Sequence, residues 1–123
     1  MTPTHTDIFS TADLEGLTGD DLQMKQDLFA IYCSESPRLA ADLDRALLAG
    51  DARAVAYAAH AMRSLTSTVG GRALFDLCGV IEHSAHEGDL AHASALNATV
   101  AESIEALRQA FARYLAEEAP PSR

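Results

Sequence analysis

The chain has 123 residues, 48% of them hydrophobic, and a formal net charge of −9. That is enough length and apolar content for one domain with its own core. The charge argues against a nucleic-acid partner, whose phosphates demand basic surface, and against adsorption to an anionic membrane.

No apolar run approaches the ~20 residues that span a bilayer. Residues 1–7 lack the basic and apolar stretches of a secretory signal. The two cysteines, Cys33 and Cys78, lie far apart in apolar helical segments. They read as buried, reduced thiols rather than a disulfide framework, and a cytoplasmic protein is expected.

Strand signals are nearly absent, and no low-complexity linker divides the chain. The elements run as helices. Residues 11–17 form a short first helix capped by Ser10 or Thr11 and broken at Thr18-Gly19. Residues 20–49 carry Leu22, Leu28, Phe29, Ile31, Tyr32, Leu39, Leu43, Ala46 and Leu47 at helical spacing. Pro37 inside this stretch either kinks one long helix or starts a second. Gly50 ends it and Asp51 caps the next helix, which Gly70-Gly71 closes. Residues 72–86 form a helix that buries Leu74, Leu77, Cys78 and Ile81. Gly88-Asp89 is a further stop and cap. One long final helix is expected over 90–117, using Leu96, Val100, Ile104, Leu107, Phe111 and Leu115. Short connections between amphipathic helices predict an all-α fold, an up-down-up-down four-helix bundle with a short additional N-terminal helix. The domain is expected over 10–117, with 1–9 and 118–123 as mobile ends.

Within residues 52–68, a period of ~100° per residue puts Val55, Ala58, Met62, Leu65, Thr66 and Val69 on the side away from His60. Arg53, Ala56, Tyr57, Arg63, Ser64 and Ser67 fall within about 60° of it. His60 is therefore expected on the solvent face, beside two arginines and two hydroxyls. An imidazole is substantially neutral near pH 7 and can then act as a nucleophile. Arg53, Arg63 and Arg72 make the locale of this helix positive on an acidic chain, which suits transient binding of a phosphoryl group.

The run around His60 resembles the histidine-containing phosphotransfer (Hpt) domain family. The matching positions are Ala59-His60, Met62, Arg63, Ser64 and Gly70-Gly71. Leu74, Leu77, Cys78 and Ile81-Glu82 resemble the family's following helix. Phe29, Ser36-Pro37, Leu39, Leu43, Ala46 and Gly50-Asp51 resemble the preceding region, and Gly88-Asp89 falls where the family begins its last helix. The likeness covers about residues 10–117.

The resemblance implies a phosphorelay intermediate. His60 would accept a phosphoryl group from a receiver domain's phospho-aspartate, through the ring nitrogen that projects furthest, and a second receiver would remove it. The receivers would be those of response regulators or hybrid histidine kinases. They would supply the magnesium, so no cofactor of this chain is implied. Arg63 would support the phosphoryl charge. Ser64 and Ser67 would offer hydrogen bonds or docking surface, and Tyr57, Ala56 and Arg53 would meet the partner. Two positions depart from the family pattern: Arg63 stands where a lysine is usual, and Ser64 where a glycine is usual. The arginine keeps the charge with another geometry. The serine either crowds the partner or bonds the phosphoryl group, and crowding is expected.

Two rival readings remain. A helical adaptor that binds receivers or kinases without carrying phosphate needs no nucleophile at position 60. A metal site could use Cys78, Glu82, His83, His86 and His92. However, Glu82 and His86 are four apart, not the three of helical di-metal sites, so no metal is expected. No nucleotide-binding or autokinase motif is visible. The chain is thus read as a carrier rather than an enzyme, and as a monomer.

Overall fold

A computed structural model describes residues 8–118. Among them the chain is all helical, in six elements: α1 (Thr11–Thr18), α2 (Leu22–Ala49), α3 (Ala52–Thr68), α4 (Arg72–His86), α5 (Leu90–Asn97) and α6 (Val100–Glu118). Among the described residues no helix is long and apolar enough to cross a membrane. Four helices enclose the core in a ring: α2 packs on α3, α3 on α4, and α6 on both α4 and α2. The small α5 lies chiefly against α4.

Each start has a local cause. The side chains of Ser10, Asp21, Asp51 and Asp89 accept a hydrogen bond from the backbone N–H three residues on, at 2.9–3.1 Å. Each thereby satisfies one of the donors that a helix leaves orphaned at its first turn. Gly50, at φ +66°, ends α2 in the left-handed conformation, and Asp51 N–H then returns to the Ala46 carbonyl at 3.1 Å.

Pro37 does not divide α2, which runs unbroken through it. The proline lies on the exposed face. The buried residues Tyr32, Ser36, Leu39 and Leu43 hold the helix together on both sides of it. Tyr32 is fully buried and donates its hydroxyl to the Ile104 carbonyl at 2.8 Å, so it is a core strut joining α2 to α6.

Three expectations are corrected. The final helix is two, α5 and α6, separated at Ala98-Thr99. Asn97 donates to Asp44 of α2 at 2.7 Å, and the Thr99 hydroxyl and N–H both turn onto the Leu96 carbonyl at 3.0 and 3.2 Å. Side-chain bonds of this kind compete with a continuous helical ladder. The ordered domain begins before residue 10. Phe9 is buried and stacks on Phe111 at 5.2 Å, with Tyr114 edge-on at 5.5 Å. The expected mobility of residues 1–7 and 119–123 lies outside the described residues. Cys33 is only half-buried, whereas Cys78 is fully buried and burial pushes its thiol up to about 12.

Candidate functional site

His60 projects from the middle of α3. Val55, Ala58, Met62 and Thr66 anchor that helix in the core, so the imidazole is left outward with 63% of its side chain exposed. Its Nδ1 lies 3.1 Å from Oε2 of Glu82 on α4. A carboxylate can only accept, so Nδ1 donates here, and in the neutral ring Nε2 is then the nitrogen left with a free lone pair. The ring is thus held in one tautomer and aimed by one hydrogen bond.

Glu82 is only 15% exposed and serves more than one partner. Nη1 of Arg63 donates to its Oε1 at 2.7 Å. Nε2 of His86, one turn further along α4, lies 3.7 Å from Oε2. Burial works to raise the Glu82 carboxyl. The Arg63 hydrogen bond and the neighbouring charge of His60 and Arg63 outweigh it, and hold the group below the usual carboxylate range. Glu82 is therefore an anion at neutral pH, ready to offset positive charge on the His60 ring. A close partner in space, it is 22 residues away in sequence. The signal available earlier was its register. On α4 it shares a face with the buried residues Cys78 and Ala85, and a carboxylate among buried neighbours needs a partner.

Arg63 is on the expected side of α3 but is not free. Besides its bond to Glu82, its guanidinium stacks over the Phe75 ring at 4.7 Å, and its Nε is buried with no acceptor. Gly79 lies beside this stem, where a Cβ would make only ordinary van der Waals contact with Arg63 Nε, at 3.5 Å. Arg72 is bound to Asp13 at 2.7 and 2.8 Å, so it ties α1 to the start of α4. Arg53 is exposed and has no ion-pair partner among the described residues.

The two hydroxyls point elsewhere. Ser64 donates to the His60 carbonyl at 3.2 Å and Ser67 to the Ser64 carbonyl at 2.9 Å. Both are exposed but turned onto their own helix. Tyr57 is 79% exposed beside His60. Ala56 is a correction: only 6% exposed, it floors a depression rather than standing on the surface. The helical period places Ala56, Ala59 and Arg63 on one flank of His60, and α4 covers that flank. The opposite flank, with Tyr57 and Ser64, stays open. Among the described residues no group of three or more histidine, cysteine, aspartate or glutamate side chains is arranged to hold a metal ion.

An exposed imidazole aimed by a partly buried carboxylate behind it suits reversible attack on an activated phosphorus. The model of the Hpt domain family matches residues 27–110, which contain His60, Arg63, Glu82 and His86. The chain belongs to the Hpt domain family. This Hpt domain is also similar to histidine-containing phosphotransfer protein B (HptB) from Pseudomonas aeruginosa PAO1, seen in a crystal structure. The TM-score is 0.82 at 26% sequence identity, over 89% of this chain and 95% of that one. Comparison with curated proteins gives no match. Membership accounts for the all-helical bundle and for the motif-like run on the exposed face of α3.

Proposed function

We propose that this Hpt domain carries a phosphoryl group between receiver domains, in the cytoplasm and as a monomer, with His60 as the acceptor. The observation that carries the reading is the held tautomer: Nδ1 is tied to Glu82 at 3.1 Å while the ring is well exposed. Nε2 attacks the phosphorus of a receiver's aspartyl phosphate. The Nε2–P bond forms, the P–O bond to the aspartyl group breaks, and aspartate leaves as a carboxylate. The ring, still protonated at Nδ1, becomes positive, and the Glu82 carboxylate offsets that charge as a buried aspartate does behind a catalytic histidine. Passage to a second receiver reverses these steps. The receiver supplies magnesium and the activated acyl phosphate. This chain supplies position and charge, which account for most phosphoryl-transfer catalysis.

Tyr57 and Arg53 surround His60 on the open side and are assigned to docking. Ala56 contributes as the floor beneath them. Arg63 acts through Glu82, holding the carboxylate that holds the imidazole. Ser64 is assigned to partner fit.

The test is incubation with a panel of radiolabelled phospho-receivers. The expected result is acid-labile, base-stable label on this chain, absent from His60→Gln, which folds normally because an exposed ring is lost. Label that persists in His60→Gln contradicts the assignment. Stable binding of receivers without any label favours the adaptor reading instead.

A further inference from the structure

His60 is not the only histidine at Glu82. Its Nδ1 at 3.1 Å and Nε2 of His86 at 3.7 Å approach the same atom, Oε2. The second distance is too long for a hydrogen bond, so His86 is held loosely, with 64% of its side chain exposed. The two rings border one open depression, lined also by Arg53, Tyr57 and the small residues Ala56 and Ala85. Arg53 reaches it from α3 and has no ion-pair partner among the described residues. The motif-position cation, Arg63, is instead spent on Glu82 and Phe75.

The charges decide what this depression does. A phosphoryl group on Nε2 of His60 brings about two negative charges beside the Glu82 carboxylate, and the ring, turned positive, offsets about one of them. Arg53 stands there as an uncommitted cation. Apart from the His60 ring itself, the one side chain in the depression that can gain a positive charge is His86. The other titratable neighbours on its side of the fold face away from the depression. On α4, His83 and Glu87 lie 3.6 Å apart, outside its lining. On the α5 side, Asp89 caps its helix and His92 pairs with Ser84 at 2.9 Å.

We propose that Arg53 and His86 form the seat of the phosphoryl group on His60, and that His86 takes a proton from water as the group arrives. No covalent bond to His86 forms. The phosphoryl group and the proton then favour one another: each binds more readily when the other is present. This rests on the phosphotransfer reading of His60 and adds to it a second, non-acceptor histidine.

The experiment uses the full chain and phosphoramidate, a small donor that transfers its phosphoryl group to imidazole and releases ammonia. The ring signals of His86 and His83 are titrated by NMR before and after treatment. The midpoint of His86 is expected to rise by on the order of one pH unit, the effect of about one net negative charge a few ångströms away in a water-like medium. His83, on the same helix but outside the depression, is expected to move less than half as far. In His60→Gln treated identically, His86 stays in place. Phosphoryl on His60 with His86 unmoved overturns this inference and leaves the acceptor assignment standing. A shift of His86 that persists in His60→Gln also overturns it, because the phosphoryl group then sits elsewhere. Absence of label on His60 overturns both.

Discussion

Glu82 stands between His60, Arg63 and His86, and removing its charge affects all three. Glu82→Gln keeps the volume and leaves a half-buried guanidinium without its counter-charge. Loss of a charged hydrogen-bond partner predicts a stability cost of about 1–3 kcal/mol in urea unfolding. Loss of the charge behind the ring predicts roughly tenfold slower labelling of His60, about 1.4 kcal/mol of barrier. Unchanged labelling would remove Glu82 from the chemistry. The pH dependence has a definite sign. The folded-state value of Glu82 is depressed, so its contribution is fully present above the ordinary carboxylate range and is lost as the pH falls through the lowered value. Glu82→Gln should flatten that part of the acid limb. A plain surface substitution changes stability within about ±0.5 kcal/mol, but Arg63 is not one. Its stacking on Phe75 and bond to Glu82 raise the predicted cost of Arg63→Ala to about 1–2 kcal/mol, alongside slower labelling. For Ser64, whose hydroxyl is engaged with the His60 carbonyl, Ser64→Ala should leave labelling within about twofold, since a helix-bound hydroxyl has little left for a phosphoryl group. A larger loss in stopped-flow transfer would show that the hydroxyl does reach it. At this scale His60 and its exposed neighbours were legible from the helical period of one segment. Register marks Glu82 as needing a partner without saying which, because the nearness of Glu82 and His86 to His60 arises only when α4 packs on α3.

Among the elements, the junction of α3 and α4 is the most constrained. Gly70 has φ +74°, and a Cβ there would lie 2.4 Å from the Ser10 carbonyl oxygen, a backbone atom. The Ser10 N–H also donates to the Gly70 carbonyl at 2.7 Å. Gly70→Ala is therefore expected to cost about 2 kcal/mol or more, from left-handed strain and a disturbed hydrogen bond. At Gly71 a Cβ would meet Cδ2 of Leu107 at 2.5 Å, a side-chain tip that can turn aside. Gly71→Ala should thus be the milder variant in thermal unfolding, and the reverse order would contradict this account of the turn. Stops and caps such as Gly50, Asp51 and Asp89 were readable because their chemistry is local. The break between α5 and α6 was not. Apolar spacing continues across it, and what interrupts the helix is Asn97 bonding to Asp44 on another element. Pro37 was undecidable for the same reason, since burial on both sides of it keeps α2 whole.

Across the whole molecule, the residues just before α1 help close the bundle. Phe9 lies against Phe111 and Tyr114, and Phe29 meets Phe111 edge-on at 5.0 Å. Phe9→Ala should cost about 3–5 kcal/mol, the usual loss for a buried aromatic, without altering the His60 site. A cost near zero in urea unfolding would show that the segment adds little to the core. This packing was invisible in the sequence because Phe9 stands immediately before the first readable cap, Ser10, and outside any helical run whose period would assign it a face. The bundle matters to function as a rigid mount: it keeps α3 and α4 in the register that places Glu82 behind His60. The most direct test of that arrangement is NMR of the chain carrying ¹⁵N-labelled histidine, phosphorylated by a receiver. The account predicts phosphorus–nitrogen coupling at Nε2 of His60, with Nδ1 still protonated and bonded to Glu82. Coupling at Nδ1, or at any other histidine, would contradict it.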